Sequence, residues 1–168
     1  DLMCEYTVTI VGFKLPDRAG GKLSEKLIVI DPGHGTRLSE KRGMDKGAAY
    51  SGVCEMDVNL SIAREVAGAL QKRGAKAVLT RHDDPNQVMG LAERSEFAMS
   101  SGADFLVSLH CNANRSPGSA TGIETYYHMQ EPSARALAEL VHGAVCSYTG
   151  MCDRKARSDQ ALYQSGLC

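Results

Sequence analysis

The chain has 168 residues, enough for one domain with a single core and too few for two comfortable ones. Its apolar share of 43% is that of an ordinary globular protein, and a formal net charge of −1 excludes the basic footprint that nucleic acid or an anionic membrane surface requires. No apolar stretch approaches the ~20 residues that span a bilayer, and the polar opening Asp1-Leu2-Met3-Cys4-Glu5 is not a signal peptide, so any export signal is expected to have been removed or to lie upstream.

Residues 1–25 hold one alternating stretch, Tyr6-Thr7-Val8-Thr9-Ile10-Val11, and then a polar break, Leu15-Pro16-Asp17-Arg18-Ala19-Gly20-Gly21. This pattern predicts an edge strand or the tail of a preceding module, followed by a linker, with the domain proper over 26–168. Leu27-Ile28-Val29-Ile30 is a short β-branched run that Asp31-Pro32-Gly33 ends abruptly, so His34 stands where a strand gives way to a loop. Ligands of open α/β sheets sit at such strand ends. The polar, glycine-bearing stretch 36–52 has no period and reads as a surface loop over that point. Asp57 is a suitable N-cap for a helix carrying Val58, Ile62, Val66 and Leu70, with Ala63 and Ala67 beside them and Gly74 as its stop.

Lys76-Ala77-Val78-Leu79-Thr80-Arg81 reads as a short strand reached by a βαβ crossover, and His82-Asp83-Asp84-Pro85-Asn86 as a turn. Leu91, Phe97 and Ala98 mark a further helix ended by Gly102. A second core strand, Phe105-Leu106-Val107-Ser108-Leu109, ends as the first did, in His110-Cys111-Asn112-Ala113. After a loop at 114–119 come the strand Gly122-Ile123-Glu124-Thr125-Tyr126-Tyr127 and a helix opened by Pro132, with Leu137, Leu140, Val141, Ala144, Val145 and Tyr148 on its apolar face. Strands alternating with helices imply a three-layer α/β sandwich whose mostly parallel central sheet is flanked by helices.

Between the two strand-end histidines lies Glu55, where the first long helix begins. Two imidazoles and a carboxylate are a donor set that suits zinc. Taken singly, each has a plainer reading: a packed histidine, or a carboxylate complementing a helix dipole. His82, His128 and His142 are read as surface or packing residues, Arg81 and Arg94 as structural ion pairs in preference to substrate clamps, and Asp83-Asp84 as a solvated turn. Six cysteines without a CxxC support neither a zinc ribbon nor a thioredoxin-type pair and do not fix a compartment. Cys54 and Cys111 read as small buried residues, while Cys146 and Cys152 flank a helix end and could pair if oxidised.

Taken together, Ile30-Asp31-Pro32-Gly33-His34-Gly35, Glu55-Met56-Asp57-Val58-Asn59-Leu60, Val78-Leu79-Thr80-Arg81, Leu91 with Arg94, Ser108-Leu109-His110-Cys111-Asn112-Ala113 and Gly122-Ile123-Glu124-Thr125-Tyr126-Tyr127 carry a resemblance. Over about residues 26 to 165 the chain resembles the zinc-dependent N-acetylmuramoyl-L-alanine amidases of bacterial cell walls. The resemblance implies a phosphorylase/hydrolase-like sandwich, a Zn2+ cofactor and hydrolysis of the amide between N-acetylmuramic acid and L-alanine in peptidoglycan. It implies work in the cell envelope, periplasmic or secreted to the wall, with no obligate protein partner evident. His34, Glu55 and His110 match the family's metal ligands, and three protein ligands leave a coordination position open for water. Asn112 either touches substrate or braces the His110 loop.

Two departures from the family pattern stand out. Extra residues, Thr36 to Arg42, follow His34 before Asp45-Lys46-Gly47-Ala48 resumes the match. The family's second glutamate, its general base or transition-state stabiliser, falls in a final strand and turn, which is expected past Cys168, with Ala161-Leu162-Tyr163 as the strand before it. Losing a general base costs ~10² to 10⁴ in rate, so zinc binding with slow or no turnover is expected. Glu124 is not promoted to that role; a supporting, structural part suits its strand position better. Some relatives insert a plugging helix after the fourth strand, and residues 127–132 are too short for one. Two further readings remain open: a catalytically silent wall-binding or regulatory domain that keeps the zinc set, and a zinc peptidase cutting within the stem peptide.

Overall fold

In the computed structural model, residues 5–12, 22–39, 43–83, 89–112 and 121–161 are described, with 5–12, 38, 39 and 112 described by their backbone alone. In chain order the elements are β1 (Glu5–Gly12), β2 (Leu27–Pro32), β3 (Arg37–Ser39), β4 (Gly43–Met44), β5 (Ala49–Tyr50), β6 (Val53–Cys54), α1 (Glu55–Lys72) and β7 (Lys76–Leu79). They continue with α2 (Leu91–Ser100), β8 (Phe105–Asn112), β9 (Ile123–Tyr127), α3 (Pro132–Thr149) and β10 (Asp153–Ser158). Six of the strands form one sheet in the order β10-β9-β1-β8-β2-β7, in which only the β1–β8 pairing is antiparallel.

β2 is apolar on both faces because both are covered, as a parallel interior strand requires. Ile28 and Ile30 pack with Ala63 and Ala67 of α1 and Ala138 of α3, while Val29 packs with Ala98 of α2 and Leu106. Helices on both faces make the three-layer α/β sandwich expected. Among the described residues, no helix is long and apolar enough to cross a membrane.

Several local expectations are corrected. The strand in 5–12 is not at an edge: it pairs with both β8 and β9. Its alternating pattern reported strand but carried nothing about position in the sheet, which depends on remote partners. α1 begins at Glu55, not after an Asp57 cap. The amides of Glu55 and Met56 donate to the carbonyls of Ala48 and Lys46, so loop backbone caps the helix and Asp57 lies exposed in its first turn. The stretch 36–52 folds into two short ribbons, β3 with β4 and β5 with β6, in place of an irregular loop; residues 40–42 lie outside the described residues.

The apolar face expected on α3 is rotated. Ala134, Ala138 and His142 are its buried residues, whereas Leu140 and Tyr148 are 72% and 93% exposed. Alanines occupy the line of closest approach because they let the helix axis lie near the sheet, and Leu137, Val141 and Val145 flank them. β10 was not expected: Asp153-Arg154-Lys155-Ala156-Arg157-Ser158 has no apolar alternation to announce it, yet it extends the sheet in parallel beside β9. Ala161, read as opening a strand, closes a 3₁₀ turn (Asp159–Ala161); Leu162 and Tyr163 lie outside the described residues, as do 13–21, 84–88 and 113–120. Residues 128–131 form a turn directly between β9 and α3.

Candidate metal centre

β2 and β8 run parallel in adjacent positions, with Pro32 level with Leu109, so the residues that leave their C-terminal ends meet at one edge of the sheet. α1 begins at the same edge. This brings three remote positions together: Nε2 of His34 lies 3.1 Å from Oε1 of Glu55, and Nδ1 of His110 lies 3.2 Å from the same oxygen. One ligand atom from each of the three falls within 4.8 Å of the others. The two rings stand edge to face with centroids 4.8 Å apart.

Glu55 is buried, and its carboxylate is held by a dense set of donors. Oε1 accepts from the Cys111 amide at 2.8 Å and from Asn59 Nδ2 at 3.4 Å, and Oε2 accepts from the Ala48 amide at 3.0 Å. Burial pushes its pKa up, but the hydrogen bonds from His110, His34 and the Ala48 and Cys111 amides outweigh this and hold the group well below the usual carboxylate range. His34 is raised, chiefly by its hydrogen bond to Glu55 and, against the opposing effect of burial, by Asp45. Oδ2 of Asp45 accepts from His34 Nδ1 at 2.9 Å, which fixes the ring and turns Nε2 toward Glu55. Sequence reasoning missed this role. Asp45 opens the segment at which the family match resumes, and that was the only signal available.

The pocket is shaped by the absence of side chains. A Cβ on Gly33 would stand 2.3 Å from the His110 ring, and one on Gly47 would stand 2.5 Å from His34 Cδ2 and 2.7 Å from Glu55 Oε2. His34 itself sits at φ 64°, a left-handed conformation that a non-glycine residue adopts at a cost. What holds it there is visible. Arg94 donates to the carbonyls of Pro32 and His34 at 3.0 and 2.6 Å, and Arg81 donates to those of Pro32, Gly33 and Met56 at 2.9, 3.0 and 2.6 Å. Arg94 also pairs with buried Asp31 at 2.6 Å, and Asp31 accepts from the hydroxyls of Thr80 and Ser108. Arg94 is therefore in a structural ion pair, as read from sequence, whereas Arg81 is structural through backbone carbonyls in place of the ion pair expected.

The donors fit zinc: two imidazole nitrogens and a carboxylate oxygen already converge, with His34 oriented by Asp45 and Glu55 by the Ala48 and Cys111 amides, in a cradle that glycines leave open. Glu124, by contrast, is committed within the sheet, its Oε1 accepting from Arg154 at 2.9 Å and its Oε2 from the Tyr126 hydroxyl at 3.1 Å. The Asn112 side chain lies outside the described residues. His82 is exposed, and Asp83 beside it pairs with Arg64. His142 is buried and hydrogen-bonded to Thr125 and Asp153. Cys54, Cys111, Cys146 and Cys152 are free thiols.

Residues 28–165 match the family of N-acetylmuramoyl-L-alanine amidases. The chain is 35% identical over 150 residues to the N-acetylmuramoyl-L-alanine amidase LytC of Bacillus subtilis, covering 88% of this chain and 28% of that protein. It is 33% identical to the endolysin of Bacillus phage SPP1 and 30% identical to the amidase AmiA of Escherichia coli, spanning 49% and 48% of their lengths and 84% and 89% of its own. The solved structure of the amidase AmiC2 of Nostoc punctiforme superimposes with a TM-score of 0.65 at 32% identity, covering 83% of this chain and 72% of that one. The agreement runs through most of the sequence and through the fold alike: the chain belongs to the N-acetylmuramoyl-L-alanine amidase family, a family of enzymes.

Proposed function

We propose that the chain is a zinc-dependent hydrolase acting on the amide between N-acetylmuramic acid and L-alanine in bacterial peptidoglycan, with His34, Glu55 and His110 holding the metal. The observation that carries this reading is the convergence of those three side chains to within 4.8 Å at the C-terminal edge of β2 and β8. Zinc bound there would supply Lewis acidity, polarising a carbonyl oxygen and lowering the pKa of a water to about 7. Two neutral imidazoles and one carboxylate leave a dication with net charge of +1, which favours that polarisation. Asp45 holds the His34 Nδ1 proton and so leaves the Nε2 lone pair for the ion. Arg81 and Arg94 keep the His34 backbone in place, and Asn112, two residues beyond His110 on the same strand, is the proposed substrate contact. No proton transfer is assigned to Glu124, because both its oxygens are engaged. The names of the relatives, N-acetylmuramoyl-L-alanine amidases and an endolysin, support a place in the bacterial cell envelope.

The test combines metal analysis with products from purified peptidoglycan. About one zinc per chain is expected at the His34 site, lost when His34→Ala and His110→Ala are combined, and digestion should release peptides that begin with intact L-alanine. Shortened peptides with alanine still on the sugar would point to a stem-peptide peptidase, and binding of peptidoglycan without products to a silent domain. Stoichiometric metal at that site in the double variant would falsify the assignment of the ligands.

A further inference from the structure

A second group of metal-binding side chains lies where α3 meets β10, formed by His142, Cys146 and Asp153. His142 and Cys146 are four residues apart on one helix, so both side chains face the same way. Nε2 of His142 lies 2.8 Å from Oδ1 of Asp153 and 3.5 Å from Sγ of Cys146, and the three ligand atoms fall within 4.8 Å of one another. In a tetrahedral zinc site the bond lengths put imidazole nitrogen and thiolate sulfur about 3.5 Å apart, and imidazole nitrogen and carboxylate oxygen about 3.4 Å apart. The nitrogen–sulfur pair already has that spacing; the nitrogen–oxygen pair has to open slightly. Asp153 is exposed, and its Oδ1 also accepts from the Lys155 amide at 2.8 Å, a bond that can persist while a second lone pair of the carboxylate faces an ion.

The histidine is also oriented as a ligand would be. His142 is buried, and its Nδ1 is 3.0 Å from the hydroxyl of Thr125, a fully buried residue of β9. A threonine hydroxyl both donates and accepts. Without an ion, Nε2–H donates to Asp153 and the hydroxyl of Thr125 donates to Nδ1; with an ion on Nε2, the ring proton moves to Nδ1 and donates to the Thr125 oxygen. The ring keeps its place in both states, and the thiol proton of Cys146 is released. Lys155, whose Nζ lies 3.0 Å from Asp153 Oδ2, is 70% exposed and is the cationic group an incoming ion would displace.

We propose that this junction is a second cation site, independent of the amidase centre, in which His142, Cys146 and Asp153 bind one divalent ion of zinc-like chemistry and fasten the end of α3 to the edge strand β10. Cobalt(II) is the probe, added to the whole chain under a phosphine reductant. A thiolate on cobalt gives a near-ultraviolet charge-transfer band that histidine and carboxylate ligands lack. Two equivalents are expected, one of them raising this band. The band should be lost in Cys146→Ala and retained both in Cys152→Ala and in the combined His34→Ala and His110→Ala variant, which loses only the other equivalent. Thr125→Val should weaken the band-forming site about 10- to 100-fold, because the ring loses its orienting partner. Cys146→Ala puts a good helix former at a half-buried position, and an unchanged far-ultraviolet spectrum shows that it folds. Absence of the band, its survival in Cys146→Ala, or its loss in Cys152→Ala overturns the proposal. None of these outcomes depends on whether the His34 site binds metal.

Discussion

Glu55 draws together more of the site than any other side chain. Its Oε1 faces both imidazoles and the Cys111 amide, and Asp45 works on the same cluster from behind His34. If Asp45 orients the ring, Asp45→Ala should weaken zinc binding about 10- to 100-fold while leaving the melting curve of the metal-free protein nearly unchanged, and competition with a chromogenic chelator measures this directly. The opposite pKa shifts set a pH signature for chelated protein. Glu55, depressed in the fold, contributes stability that is present above its unfolded value of about 4.3 and is lost as pH falls; His34, raised in the fold, contributes stability that is present below about 6.5 and is lost as pH rises through its folded pKa. Metal-free protein should therefore resist urea best between about pH 4.5 and 6.5, whereas zinc-loaded protein should gain as pH rises, because protons and metal compete for the same nitrogens. Urea midpoints that follow the same pH trend with and without chelator would count against this account.

At the level of elements, the loop after β2 is held by side chains from elsewhere. Arg94 of α2 reaches Asp31 and the carbonyls on either side of Gly33, and Arg81 reaches the same loop from the end of β7. Both charges of the Arg94–Asp31 pair are buried, with side chains 4% and 8% exposed. Removing one partner leaves the other charge uncompensated, so Arg94→Met should cost about 3–5 kcal/mol in urea unfolding and release the His34 loop; a loss under about 1 kcal/mol would mean that the pair contributes no more than a surface one. The ion pair read from sequence is found at Arg94, while Arg81 reaches backbone carbonyls that no local pattern names. Nor was the buried face of α3 legible in the sequence. The expected stripe ran through Leu140 and Tyr148 as well as Leu137, Val141 and Val145, but Ala134, Ala138 and His142 are the residues buried against the sheet, so the first two are left exposed and the others flank.

In the whole molecule, β1 joins two parallel halves of the sheet, antiparallel to β8 on one side and parallel to β9 on the other. A strand paired on both sides does not tolerate proline, whereas an edge strand does. Val8→Pro should therefore abolish cooperative unfolding or lower its urea midpoint steeply, and an effect within the ~0.5 kcal/mol of an ordinary surface change would return β1 to the edge. The candidate ligands His34, Glu55 and His110, both core strands, the helices α1, α2 and α3 and the alternation that makes the sandwich were legible in the sequence, because strands and helices rest on the periodicity of neighbouring residues and the three ligands on their residue types at strand ends and a helix start. Tertiary structure alone decided the slot that β1 fills, the polar edge strand β10, the carboxylate behind His34 and the meeting of His142 with Asp153. Each of these depends on a partner far away in the chain, chosen by strand register and close packing, and no local pattern carries that information.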